Sequence, residues 1–134
     1  MSSNTWSVRL ARAFALIRGM MLILFSVVLI AAPEKALPGS SAEPARSLGL
    51  IFASRTILLG VVIVALVLKR KRQGLAWVLF ADAALQVFDT GMALAMSKGA
   101  MAVLPIALGA IDAWAGRVLL RAVEESVRST PPTA

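Results

Sequence analysis

The sequence contains no cysteine and no histidine among its 134 residues. The absence of cysteine excludes disulfides, thiolate catalysis and metal centres that depend on thiolate ligands. The absence of histidine excludes hydrolytic and acyl-transfer dyads that use imidazole, and it leaves only a few carboxylates as metal ligands. We therefore expect neither a metal site nor a bound cofactor.

Charge is also scarce: 16% of the residues are charged, 59% are apolar and the mean hydropathy is +0.83. A soluble domain of this length cannot bury so much apolar surface, because its surface-to-volume ratio stays high. The net charge of +7 would suit a nucleic-acid-binding domain, but such a domain carries its charge on a wet face. Here the basic residues flank apolar runs, which is typical of membrane topology. The composition predicts an integral membrane protein in contact with a lipid bilayer and without a nucleic-acid partner.

Four apolar stretches have the ~20 residues that cross a ~30 Å hydrocarbon core at ~1.5 Å per residue. They cover residues 8–32, 47–68, 74–96 and 99–120 approximately. Short connectors make consecutive helices antiparallel neighbours. The sequence therefore predicts one transmembrane domain over residues 1–134, an all-α antiparallel four-helix bundle with a tail over about residues 122–134.

The basic residues near the span ends predict the orientation. One side collects Arg9, Arg12, the cluster from Lys69 to Arg72, Arg121 and Arg128, whereas the other has only Lys35, Arg46 and Lys98. An excess of basic residues marks the cytoplasmic side, so both termini are expected there, in a multi-pass protein of the inner (plasma) membrane. The first span also resembles a secretory signal peptide, because arginines precede its apolar run. We expect it to remain as an uncleaved helix.

Several ionisable residues lie inside the spans, where a charge costs at least ~2.5 to 3.5 kcal/mol unless it faces the bundle interior. Depth can be counted along antiparallel helices at ~1.5 Å per residue. On this scale Arg55 and Asp89 lie about 10 to 12 Å below the outer surface. Arg18, Asp82 and Asp112 all come out at about 20 Å. The sequence predicts two polar layers, each joining helices through opposite charges.

Gln86 belongs to the same candidate site, because Asp82, Gln86 and Asp89 are spaced by four and three residues and share one helix face. The predicted intramembrane polar site comprises Arg18, Arg55, Asp82, Gln86, Asp89 and Asp112. In one interpretation, these groups only fix the register of the helices. In the other, Asp82 and Asp112 share one arginine, and one of the two carboxyls holds a proton because both do not easily stay ionised in a low dielectric. Such a proton would serve solute coupling or general acid catalysis.

A family resemblance covers nearly the whole chain through short motifs. These are Arg18-Gly19, Pro33, ASRTILLG at 53–60, FADAALQVFDT at 80–90 and AIDAWAG at 110–116. They resemble bacterial DoxX-like proteins and neighbouring four-helix membrane families of unknown function, which implies the fold and no particular activity. Small multidrug exporters are similar in outline. Their essential glutamate in the first helix has no counterpart here, where Arg18 is the only ionisable residue deep in that span.

Three functions remain open at this level. The first is binding or transport of a small lipophilic solute with proton coupling, and the sequence slightly favours it. The second is a membrane-embedded enzyme, such as an isomerase, a cyclase or an epoxide-opening catalyst, with an Asp/Arg acid–base site. The third is a non-catalytic subunit that assembles with a membrane protein partner or with copies of itself.

Overall fold

The computed structural model describes residues 3–36, 41–43, 45–95 and 99–129. These residues form four long helices and one short one, without a strand among them, which confirms the all-α prediction. The helices are α1 (Ser3–Ala31), α2 (Pro33–Ala36), α3 (Ala45–Leu68), α4 (Arg72–Ala95) and α5 (Gly99–Arg128).

The helix ends follow local chemistry. Pro33 opens α2, where its missing N–H costs no hydrogen bond, and a proline there cannot extend α1. At its C-terminal end α5 continues to Arg128, so residues 122–128 extend the last helix, although the sequence analysis placed them in a tail. Residues 130–134 of that predicted tail lie outside the described part of the chain.

The turn between α3 and α4 is tight and basic. Arg70 has a φ of 54°, in the left-handed region. Around it, the Lys71 N–H donates to the Leu66 carbonyl at 3.0 Å and the Arg70 N–H donates to the Val67 carbonyl at 3.2 Å. This pattern ends α3 and reverses the chain. A side chain of α1 reinforces the turn, because Arg12 Nη2 donates to the Val67 carbonyl at 3.1 Å.

Within the part of the chain that the structure describes, three helical segments are long and apolar enough to cross a membrane: Thr5–Ala31, Ala45–Leu68 and Val103–Arg128. Large apolar side chains such as Ile17, Leu58 and Leu104 are exposed on all three, as lipid-facing residues are. The remaining long helix, α4, is not one of these three segments, and it carries two aspartates and two glutamines. That α4 also spans the bilayer stays a prediction.

The long helices pack as two pairs, α1 with α3 and α4 with α5, and the pairs meet mainly between α1 and α5. Glycine permits the close approach within each pair. A Cβ at Gly60 would lie 2.7 Å from the Gly19 carbonyl oxygen, and a Cβ at Gly116 would lie 3.1 Å from the Ala76 carbonyl oxygen. In lipid, close packing over small residues replaces the hydrophobic effect as the force between helices.

The buried apolar core lies in one half of the bundle, formed by the first part of α1 and α4 and the last part of α3 and α5. Its buried members are Val8, Ala11, Ala15, Leu22, Ile63, Val67, Leu75, Ala76, Leu79, Ala115, Leu119 and Ala122. Asp82 is one turn beyond Leu79 in α4, and Asp112 is one turn before Ala115 in α5. The core therefore ends against a layer of charged side chains.

Candidate functional site

Three buried charged residues meet where the two helix pairs join. Arg18 Nη2 of α1 lies 2.9 Å from Asp82 Oδ2 of α4, and Arg18 Nε lies 3.5 Å from Asp112 Oδ2 of α5. Arg18 is 6% exposed, Asp82 2% and Asp112 0%. We call these residues the buried triad. One guanidinium therefore links three helices across the boundary between the pairs, and the three residues that the depth count placed in the deeper layer come together.

The hydrogen bonding of the triad is incomplete. Gln86 Nε2 donates to Asp82 Oδ1 at 3.5 Å, at the long limit of such bonds. Arg18 Nε and Nη2 and both oxygens of Asp112 make no aligned hydrogen bond to any described residue. The contacts of Arg18 are thus ion pairs held by charge and proximity. Both oxygens of Asp112 are buried without an aligned donor, which is a costly arrangement for a carboxylate.

The local sequence explains how the three helices come close enough. Gly19 follows Arg18 and faces α3, which leaves the arginine side chain directed toward α4 and α5. On α5, Asp112 lies between Gly109 and Gly116, and both glycines contact α4. The carboxylate therefore occupies a helix face of small residues, which lets α4 pack against α5 at the level of the charges.

The outer polar layer expected from the sequence does not form. Arg55 is exposed and Asp89 is half-buried, and neither makes an ion pair within the described ranges. The helix face explains this result, because α3 buries Ala53, Thr56 and Gly60. Arg55 lies two residues after Ala53, roughly 200° around the helix at 3.6 residues per turn, and so points away from this buried face of α3. The depth of a residue along its helix does not determine the direction in which its side chain points.

Arg55 instead lines an open cavity of about 540 Å³ between α3 and α4, which we call the α3/α4 groove. The other lining side chains are mainly apolar and include Ile51, Leu58, Val62, Val78, Ala81 and Leu85. Ala81 immediately precedes Asp82, so the groove and the triad occupy neighbouring faces of α4. The sequence does not predict this groove, since a nearly uniform apolar helix such as α3 gives no periodic signal of which face is outward.

A second cavity, of about 560 Å³, lies at the end of the bundle where α1 and α4 begin and α5 ends. We call it the basic pocket. It is lined by Thr5, Val8, Arg9, Arg12, Arg72, Ala122, Glu125, Ser126 and Ser129. The sequence attributes these arginines to membrane topology, and the spacing of Arg9 and Arg12, one helical turn apart, is the signal that they share a face. No group of three or more metal-ligating side chains occurs among the residues that the structure describes.

Comparison with protein families gives a match over most of the chain. A family model described as "Domain of unknown function (DUF4267)" matches residues 19–123, which is most of the chain. The matched range includes Asp82, Asp112 and Arg55 and begins one residue after Arg18. This match does not confirm the resemblance to DoxX-like proteins. No curated protein and no solved structure matches.

Proposed function

The chain belongs to the DUF4267 family, whose description assigns no activity. From the chain's own residues, we propose that it binds a small lipophilic anion in the α3/α4 groove and couples this binding to a proton on the buried triad. This function would be carried out in the inner (plasma) membrane, with α1, α3, α4 and α5 all crossing the bilayer. The basic pocket gathers arginines of α1 and α4 beside the end of α5, which supports cytoplasmic termini by the positive-inside rule.

Arg55 is the observation that carries the proposal. It lies ten residues after Ala45, or ~15 Å along α3, and therefore within the span. An arginine that faces lipid at such depth costs at least ~2.5 to 3.5 kcal/mol, and no described carboxylate pairs with it. The acidic group of a solute would offset this cost. The apolar lining of the groove suits a hydrocarbon body, so a lipophilic anion fits both features.

The triad is the group that would take up the proton. One guanidinium and two carboxylates have a formal charge of −1 when all are ionised, in a region that neither water nor lipid reaches. A proton shared by Asp82 and Asp112 makes the triad neutral. Asp82 and the groove residues Ala81 and Leu85 all lie on α4. A small shift of α4 when the anion binds would therefore move the side chains of the buried triad and of the α3/α4 groove together.

Decanesulfonate is a suitable probe because it is a lipophilic anion that does not titrate near neutral pH, so any proton exchange comes from the protein. Binding is measured with the purified protein in neutral-lipid nanodiscs, against empty nanodiscs, together with proton uptake by a pH-indicator dye. We expect Arg55→Gln to weaken binding at least fivefold, with Arg121→Gln as the matched control for loss of one charge. Asp112→Asn should bind the probe without proton uptake. Unchanged binding by Arg55→Gln would refute the role of the groove.

A second candidate is assembly with another membrane protein or a second copy of the chain, because an acidic side chain of such a partner would satisfy Arg55 equally well. The mass of the particle in mild detergent separates the two. A larger assembly that dissociates on Arg55→Gln supports a partner, whereas a single chain with decanesulfonate affinity supports solute binding. The enzymatic alternative gains less support, because Asp82 and Asp112 are packed against Arg18 and lack exposure to a substrate.

A further inference from the structure

The basic pocket has a charge pattern that the proposed function does not use. Arg9 and Arg12 of α1 and Arg72 of α4 line it together with one carboxylate, that of Glu125. Three guanidiniums and one carboxylate leave a formal charge of +2. Within the described chain, Arg9 and Arg72 have no ion-pair partner, while Arg12 donates to the Val67 carbonyl. Arginine presents a planar fork of donors that matches phosphate oxygens, so the pocket is complementary to a phosphate group.

The position of the pocket indicates where such a phosphate would come from. Trp6, less than one turn before Arg9, is 63% exposed, and Trp77, less than two turns after Arg72, is 59% exposed. Exposed tryptophans at span ends lie at the level of lipid headgroups. The buried side chains of Val8 and Ala122 give the pocket an apolar wall beside its charges. A pocket that is complementary to phosphate, lies at the depth of the headgroups and has an apolar wall has the features expected of a phospholipid-binding site.

We infer that the basic pocket binds the phosphate headgroup of an anionic phospholipid, held by Arg9, Arg12 and Arg72 between the start of α1, the start of α4 and the end of α5. The volume of about 560 Å³ accommodates a headgroup with its glycerol. The bound lipid would tie α1, α4 and α5 together at the end opposite the α1–α3 connection. This site is separate from the α3/α4 groove and does not depend on the function proposed for it.

Native mass spectrometry of the full chain, released from mild detergent in the presence of dioleoylphosphatidic acid or dioleoylphosphatidylcholine, tests the assignment. Wild-type protein should retain one phosphatidic acid and bind it at least tenfold more strongly than phosphatidylcholine. The double substitution Arg9→Gln/Arg72→Gln should weaken retention by about fivefold per charge, or roughly 25-fold. The control Lys69→Gln/Lys71→Gln removes the same charge at the same end, from residues that do not line the pocket, and should retain the lipid like wild type.

Free phosphate is the alternative source, and adding inorganic phosphate at millimolar concentration distinguishes it. Persistence of the lipid supports the phospholipid, whereas displacement of the lipid by inorganic phosphate would overturn that assignment. Equal losses in the two double variants, or no preference for phosphatidic acid, would overturn the pocket itself. The variant Arg9→Lys/Arg72→Lys guards against misfolding, because it keeps both charges and should recover most of the lipid retention.

Discussion

Gly19 and Gly60 face each other at the closest approach of α1 and α3, where a Cβ at Gly60 would lie 2.7 Å from the Gly19 carbonyl oxygen and 2.8 Å from Ile23 Cγ1. The carbonyl is backbone and cannot rotate away. We expect Gly60→Ala to separate the two helices and to lower the free energy of unfolding by about 1 to 3 kcal/mol, as overpacking does. The measurement is loss of helical circular dichroism as sodium dodecyl sulfate is titrated into mixed micelles.

Gly91 provides the matched control for this substitution. A Cβ at Gly91 meets nothing within 4 Å, although the residue also lies in a helix. Gly91→Ala should therefore leave the unfolding free energy unchanged or raise it by up to ~1 kcal/mol, the helix propensity of alanine over glycine. Equal effects of Gly60→Ala and Gly91→Ala would show that the α1–α3 contact is looser than described.

The charges of the triad predict how three substitutions, each of a charged side chain by an uncharged one, rank in their effect on stability. Arg18→Gln leaves two buried carboxylates without a cation and should lower stability by about 3 to 5 kcal/mol. Asp82→Asn removes the partner at 2.9 Å and should lower stability by a smaller amount. Asp112→Asn removes the surplus acid and leaves a balanced pair, so its effect should stay within about 1 kcal/mol. The same unfolding titration gives all three values, and a larger loss for Asp112→Asn than for Asp82→Asn would contradict the charge count.

The sequence predicted the helices and the deeper charged layer because both follow from one-dimensional quantities. Span length follows from the thickness of the hydrocarbon, and the depth of Arg18, Asp82 and Asp112 follows from a fixed rise per residue. Because consecutive helices are antiparallel, residues at equal depth come together. That these residues form a functional site stays a prediction.

Some features that depend on direction around a helix were not predicted. The direction of Arg55 depends on which face of α3 packs, and that face is set by Ala53 and Gly60 and their close contacts with α1. An apolar helix in lipid has no polar face to reveal this. Arg9 and Arg72 were expected at the same end of the bundle, but that they line one pocket depends on how α1, α4 and α5 pack, which the sequence does not show.

The orientation can be measured directly because the chain has no cysteine, so one introduced thiol reports one position. Lys71→Cys lies in the basic turn and Ser41→Cys precedes α3. By the positive-inside rule, a membrane-impermeant thiol reagent should label Ser41→Cys in intact cells and Lys71→Cys only after the membrane is opened. Labelling of Lys71→Cys alone in intact cells would show that the topology is inverted. Labelling of both variants in intact cells would show that α3 does not cross the membrane.

The central claim is that Arg18 is paired inside the bundle whereas Arg55 is not, and double-mutant cycles measure this difference. One cycle combines Arg18→Gln with Asp82→Asn, and the other combines Arg55→Gln with Asp89→Asn, each followed by unfolding in mixed micelles. The account predicts a coupling energy of at least ~1 kcal/mol for Arg18 with Asp82 and none beyond ~0.5 kcal/mol for Arg55 with Asp89. Additive effects in the first cycle, or strong coupling in the second, would contradict it.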